Sequence, residues 1–267
     1  MANILDEIIA YKKLFVGQCK VAKSIEQLKD ETAGLAKCRN FRRAVTKKNP
    51  RGINVIAEVK KASPSAGIIR ADFDPVEIAK IYQACGADAI SCLTDEKYFQ
   101  GRLEYIHAIK AAVDLPVIRK DFIIDEYQIY EARAARSDAI LLIAEALPIG
   151  RLMDLMILAN ELTLGCLIEV HSVESLMSVR SMIDFPQMQY NVIGVNNRNL
   201  ETMKVDINNT ARLADLLEGK MPMVAESGIK TRDDVAKLKK IGVNAVLIGE
   251  TLCRSDDIGA KFRELFD

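Results

Sequence analysis

The first thing this 267-residue chain lacks is charge of one sign: 37 Lys and Arg residues face 37 Asp and Glu, for a formal net charge of zero. A balanced surface offers no electrostatic footing for DNA, RNA or an anionic membrane as the main partner. Long apolar runs are also missing, and none approaches the roughly 18–20 residues a membrane span requires. The N-terminal stretch mixes Asp6, Glu7, Lys12 and Lys13 with apolar residues, so no secretory hydrophobic segment is expected there. The six cysteines, at 19, 38, 85, 92, 166 and 253, form no CxxC pair and no ligand cluster. They read as reduced thiols of a cytoplasmic protein, with Cys85, Cys92 and Cys166 as small buried hydrophobes. Histidine is nearly absent: His107 and His171 are the only two and lie far apart. A metal site or a histidine-centred triad is therefore not expected. No GxGxxG turn is present to hold a dinucleotide.

What remains is a chain half hydrophobic in composition, at 49%, with a repeating pattern after residue 50. Short apolar, β-rich runs alternate with amphipathic stretches of helical period. Strands are expected at 53–59, 87–93, 115–120, 138–143, 164–170, 191–196, 221–226 and 245–249. Helices are expected between them at 75–85, 103–113, 126–136, 149–162, 173–182, 208–217 and 232–241. Asp74-Pro75 reads as a cap followed by a first-turn proline. Thr231, with Asp233 and Asp234 after it, reads as another helix start. Continuously apolar strands are covered on both faces. Eight such units in a chain near the typical length of about 250 residues close into a barrel, where an open doubly wound sheet would need fewer strands and a glycine-rich first turn. The fold class expected is α/β: one (β/α)8 TIM-barrel domain over residues 1–267. Residues 1–50 fall outside the repeat and are expected as extra N-terminal helices packed across one end of the barrel. The stripe Ile4, Leu5, Ile8 and Ile9 marks one helix, and 21–28 another. Between Lys37 and Arg51 lie seven basic residues and no acidic one. They read either as an attractor for an anionic substrate or as a solvated helix face and loop.

In such barrels chemistry sits at the C-terminal ends of the strands, and polar residues recur there. The ends read Glu58-Val59-Lys60, Thr94-Asp95-Glu96-Lys97, Arg119-Lys120-Asp121-Phe122, Glu169-Val170-His171, Asn196-Asn197-Arg198, Glu226-Ser227-Gly228 and Gly249-Glu250. Glu58 and Lys60 are two apart and share a face; turned inward they would meet Lys120 and Glu169. Ionisable residues inside apolar runs must be paired or functional, because a lone buried charge is costly. Ser227-Gly228 and Gly249-Glu250 stand where barrels bind phosphate through backbone N–H groups. The hydroxyl-rich loop from Ser63 to Gly67 could add contacts or close over the site.

The strings themselves resemble those of the indole-3-glycerol-phosphate synthase family, from about residue 3 to 265. Ile56 to Ser65 resembles its first-strand signature. Thr94 to Gly101, Arg119 to Ile123, Glu169 to His171, Gly194 to Leu200 and Ala225 to Ile229 follow in the family's order. The resemblance implies a carbon–carbon lyase of tryptophan biosynthesis. Such an enzyme converts 1-(2-carboxyphenylamino)-1-deoxyribulose 5-phosphate to indoleglycerol phosphate, losing carbon dioxide and water, without metal or cofactor. It assigns catalysis to Lys120 as the acid at the ketone oxygen, Glu169 as general acid/base, Lys60 as carboxylate contact and second acid, and Glu58 as an orienting carboxylate. Asn196, Arg198, Glu226, Phe99 and Phe122 match substrate-binding positions. Ser63, Ser227, Gly228, Gly249 and Glu250 match phosphate-binding positions, with Glu250 expected to bind through its backbone N–H. Mutual tuning is expected to lower the lysine pKa values. The partner implied is a small phosphorylated substrate bound by a monomer or weak homo-oligomer. The rival readings are another phosphate-binding barrel of the same pathway, isomerase or lyase, and a barrel that binds without catalysing.

Overall fold

In a computed structural model of the chain, all residues are described except 1–3, 186–189, 200, 201, 203, 218 and 220. Eight parallel strands close into a barrel. They are β1 (Asn54–Val59), β2 (Ala89–Leu93), β3 (Val117–Lys120), β4 (Ala139–Ile143), β5 (Gly165–Val170), β6 (Asn191–Asn196), β7 (Met223–Glu226) and β8 (Ala245–Ile248). Each pairs with its neighbours in sequence, and β8 closes on β1 through Asn54↔Ala245 to Ala57↔Ile248. The expected strands all form, several starting one or two residues later, and the expected helices between them form with similar bounds. Asp74 caps the Pro75–Ala84 helix by accepting from the N–H groups of Val76 and Glu77. Thr231 and Asp234 cap the Arg232–Ile241 helix reciprocally. No helix among the described residues is long and apolar enough to cross a membrane.

The strand pleat sorts side chains into two sets. One set packs against the surrounding helices: Val55 and Ala57 on β1, Cys166 and Ile168 on β5, Ile193 and Val195 on β6. The other fills the barrel interior: Ile56, Ala89, Ile118, Leu141, Leu167, Val192, Val224 and Ala245. Barrel interiors are layered, each layer of four coming from alternate strands. Ile56, Ile118, Leu167 and Val224 come from the odd-numbered strands. Two residues further on, the same four strands turn Glu58, Lys120, Glu169 and Glu226 to the same side. The topmost interior layer from these strands is thus ionisable where the one beneath it is apolar. Of the three cysteines expected to be buried, Cys92 and Cys166 are, whereas Cys85 is half-exposed and Cys253 is buried instead.

The N-terminal segment differs from its expectation in two ways. Helix α1 (Ile4–Ala22) runs through Val21 and stops where Ser24 begins α2 (Ile25–Thr32). Ser24 and Gln27 form a capping box that interrupts the expected 21–28 helix. The helices also divide between the two ends of the barrel. Leu5 of α1 reaches the interior from the mouth, and Lys12 pairs with Asp95 and Asp121 beyond β2 and β3. Phe41 and Val45 of α3 (Phe41–Thr46) enter the interior from the opposite end, where Phe41 lies against Gly165 at the start of β5. The basic run stays at that far end. Lys47 and Arg51 pair with Asp88 ahead of β2, and the Arg39 guanidinium donates to the carbonyls of Val113 and Leu115 ahead of β3. It secures strand entrances and does not face the mouth, which removes it as an attractor of substrate.

Candidate active site

Three of the four top-layer residues meet one another, and the fourth, Glu58, pairs with Lys60. Lys120 Nζ lies 3.1 Å from Glu169 Oε2 and 3.2 Å from Glu226 Oε2. Glu58 Oε1 lies 2.5 Å from Lys60 Nζ, and its Oε2 accepts a long, 3.4 Å hydrogen bond from Ser91 Oγ. Two glycines, Gly194 on β6 and Gly249 just after β8, make the room. A Cβ on Gly194 would collide with Glu226 Oε1, and one on Gly249 with Glu58 Oε1. Glu58, Glu169 and Glu226 are buried, while both lysines keep partial exposure toward a cavity.

That cavity, of about 90 Å³, is lined by Glu58, Lys60, Lys120, Arg198 and Glu226, with Ser227, Gly228, Gly249 and Glu250 on its far wall. It adjoins an open cleft of about 800 Å³ that shares Arg198, Gly228 and Glu250 and adds Ser65, Lys230 and Arg254. Nine of the fourteen candidate site residues therefore surround one space. Ser227 and Gly228 both adopt left-handed backbone conformations, with φ of 67° and 80°. Such strain in a non-glycine residue is typical of functional loops. At Gly228 a side chain would also strike Val205, which is bridged to Arg198 in the preceding loop. The Glu250 carboxylate accepts from Arg254 at 2.9 Å, which occupies the charge that would repel a phosphate.

The other five candidates sit apart from that space. Glu169 reaches it only through Lys120. Asn196 accepts the Arg198 backbone N–H at 3.0 Å, and Ser63 accepts the Ala66 N–H at 3.2 Å, so each is engaged in its own loop. Phe99 and Phe122 face each other with ring centroids 6.1 Å apart. They line neither cavity, and Phe122 packs beside Ile9 of α1 against the interior cluster. Leu200, in the sixth-strand string, lies outside the described residues.

The electrostatics correct the expectation for lysine. Burial alone would lower the Lys120 pKa, but Glu169, Glu226 and Glu58 together raise it well above the ordinary value. Lys120 is a fixed cation. Glu169 and Glu226 share that cation and repel each other, so they do not ionise equally. Burial and the repulsion of Glu169 push Glu226 up to about 8 against the attraction of Lys120, while Glu169 is driven far below the usual carboxylate range by Lys120 and His171 despite its burial. Glu226 shares its cation with Glu169, Lys120 lying 3.2 Å from one and 3.1 Å from the other, so the acid closest to protonation is the one that competes for a cation.

The family model described as indole-3-glycerol phosphate synthase matches residues 5–265. The chain is 46% identical to the indole-3-glycerol phosphate synthase of Neisseria gonorrhoeae (strain NCCP11945), with all of both chains covered. It is 44% identical to that of Geobacillus sp. (strain WCH70), over 98% of this chain and 96% of the relative. The chain belongs to the indole-3-glycerol phosphate synthase family. Among solved structures, 3-hexulose-6-phosphate synthase superposes with a TM-score of 0.61 at 16% identity, covering 80% of this chain and 98% of that one. A chain of the tryptophan synthase complex from Pyrococcus furiosus superposes with a TM-score of 0.56 at 14% identity, covering 79% and 97%. These distant likenesses speak for the fold alone.

Within this family member, two residues beside the site escaped the sequence reading. His171 is expected only as one of the polar residues at a strand end, yet its ring stands against Glu169 and Glu145. Its two-residue spacing from Glu169, the same as that of Lys60 from Glu58, was a usable signal. Glu145 lies in the turn after β4, Ala144–Ala146, where no periodicity marks it.

Proposed function

We propose that Lys120, Lys60, Glu58 and Glu169 carry out the indole ring closure of this family at the mouth of the barrel. The activity is that of a decarboxylating lyase that forms indoleglycerol phosphate from a carboxyphenylamino-deoxyribulose phosphate. Ring closure begins when the aromatic carbon bearing the carboxylate attacks the ketone, and negative charge gathers on the ketone oxygen. A preorganised cation in a water-poor site stabilises such charge strongly. Lys120, held protonated by three carboxylates, supplies it. It donates a hydrogen bond to that oxygen and yields a proton to it as the alkoxide forms, the alkoxide being the stronger base.

Loss of carbon dioxide then leaves a hydroxyl to be expelled. Its departure as water needs one proton delivered to oxygen and one removed from the ring carbon beside the nitrogen, since the indole product keeps its N–H. Lys60, paired to Glu58 and open to the cavity, delivers the first. Glu169, kept as a carboxylate, accepts the second. Glu58 orients Lys60. The substrate phosphate is proposed to lie between the 227–228 and 249–250 loops, with Arg198 and Lys230 giving the adjoining cleft its positive charge. Phe99 and Phe122 are proposed as the apolar wall for the aromatic ring. Asn196 and Arg198 are proposed to act from one loop on the sugar chain, and Ser63 to support the loop that carries Ser65.

The observation that carries this reading is the odd-strand layer, in which Lys120 meets Glu169 and Glu226 while Glu58 holds Lys60 at the head of a cavity. It is tested by fluorescence detection of indoleglycerol phosphate formed by the purified protein with chelator and no added cofactor. Turnover is expected, and Ser227→Asp should weaken binding of the phosphorylated substrate. A folded sample without turnover would overturn the activity, and unchanged binding by the aspartate variant would overturn the phosphate placement.

A further inference from the structure

Glu169 holds a cation at each oxygen. Lys120 donates to Oε2 at 3.1 Å, and His171 Nε2 stands 3.3 Å from Oε1. On its other side the imidazole meets a second carboxylate, with Nδ1 3.0 Å from Glu145 Oε2. The His171 backbone is fixed as well. Its N–H donates to Glu145 Oε1 at 2.8 Å, and its carbonyl accepts from Asn209 Nδ2 at 3.1 Å. With its side chain 8% exposed, the ring has little freedom to turn away. An imidazole between two carboxylates satisfies both only when both nitrogens carry protons.

We infer that His171, kept as a cation by Glu145, is a positioning residue for Glu169. It pins one carboxylate oxygen so that the other stays toward Lys120 and the cavity, and it sets the pH at which Glu169 can accept a proton. The inference rests on the reading of Glu169 as that acceptor. The charged groups facing the pair are Glu145 from the turn after β4, Lys120 from β3 and Glu226 from β7. Asn209, from the Asn208–Leu217 helix, brings an amide and no charge. Burial would strip the proton from an isolated imidazole, but Glu145 and Glu169 raise the His171 pKa to about 10. The Glu145 carboxyl is in turn drawn below its ordinary value by His171, against the effect of burial. Removing the imidazolium takes away one of the two cations that hold Glu169 ionised, so Glu169 should protonate at higher pH.

The test is the pH dependence of kcat and KM for the intact protein and its His171→Gln, Glu145→Gln and Glu169→Gln variants. It is joined by nitrogen NMR of the imidazoles, which needs only His107→Gln to separate the two histidines. In His171→Gln the acidic limb of kcat should move up by about one pH unit or more. KM should change by less than about threefold, because the ring lines neither cavity. In Glu145→Gln the limb should move the same way by less, and the imidazole should lose its proton at lower pH than in the unaltered protein. Limbs that superpose on those of the unaltered protein, with kcat merely scaled down, would overturn the positioning role. A neutral His171 at pH 8 in the unaltered protein would overturn it too, whether or not the variants fold. Glu169→Gln separates the two readings. If it loses turnover while the other limbs stay fixed, only the His171 role falls; if it keeps turnover, the proton-acceptor reading falls and the inference with it.

Discussion

Strand β3 serves two buried ionic clusters, and they are built on opposite terms. Lys120 points inward to Glu169 and Glu226, while its neighbours Arg119 and Asp121 point outward. There Asp121 receives Lys12 at 2.7 Å, Arg119 at 3.1 Å and the Thr94 hydroxyl at 2.7 Å, and Arg119 also reaches Glu131 at 2.7 Å. Lys12 takes Asp95 as its second partner at 2.9 Å. In the outer cluster every carboxylate has a cation. Although burial works against ionisation, Arg119 and Lys12 bring the Asp121 pKa down to about 2. In the inner cluster Glu169 and Glu226 compete for Lys120, and one carboxyl is left close to neutral. A network with a cation for each carboxylate rigidifies, and here it locks α1 over the mouth. One in which two carboxyls share a cation keeps a group titratable near neutral pH, a pattern common at functional sites.

The comparison breaks most visibly if the two lysines are exchangeable. Lys120→Met should lower turnover by ~10²–10⁴, the usual range for a lost acid or base, as read by the fluorescence assay. Near-normal turnover would remove Lys120 from the chemistry. Lys12→Met should instead cost about 3–5 kcal/mol of stability, because Asp95 and Asp121 are left buried without their ammonium. Denaturant unfolding would check it, and turnover of the folded variant should remain close to normal. A loss within error of zero would contradict the outer cluster's role as an anchor.

The pH dependence of stability should differ in sign between the clusters. Asp121, depressed to about 2 from an ordinary 3.8, contributes stability that is present above 3.8 and lost as pH falls through about 2. Glu226, raised to about 8 from an ordinary 4.5, contributes stability that is full below 4.5 and lost as pH rises through about 8. Glu226→Gln should therefore flatten the decline between those two values, which thermal unfolding across that range would record. Unaltered steepness would show that Glu226 is ionised throughout. The smallest expected effect belongs to Ser91→Ala. Its long hydrogen bond to Glu58 should contribute no more than about 1 kcal/mol, and a larger loss in chemical denaturation would make Ser91 part of the inner cluster's frame.

The barrel was legible because apolar runs and helical periods alternate eight times, and no tertiary contact overrides them. Most of the inner cluster was legible for the same reason. Glu58, Lys120, Glu169 and Glu226 each interrupt an apolar run near its end, in phase with an interior residue two positions earlier. The outer cluster was not legible, since Arg119 and Asp121 look like Lys120 in the sequence and only the pleat separates them. Glu145 lies in a turn without a period, and the part played by Lys12 depends on contacts more than eighty residues away. The basic run misled because charge density marks a surface and does not say which end of the barrel it faces.

Those distant contacts give the N-terminal segment its own place in time. Lys12 cannot close its ion pairs until Asp121 has been made, and Phe41 has no seat against the barrel until Gly165 is in place. Contacts of such long sequence separation form late, because the intervening chain must first be ordered. As the ribosome delivers the chain, these helices wait while the strands that follow them assemble, and a segment made before the barrel is the one that seals both of its ends.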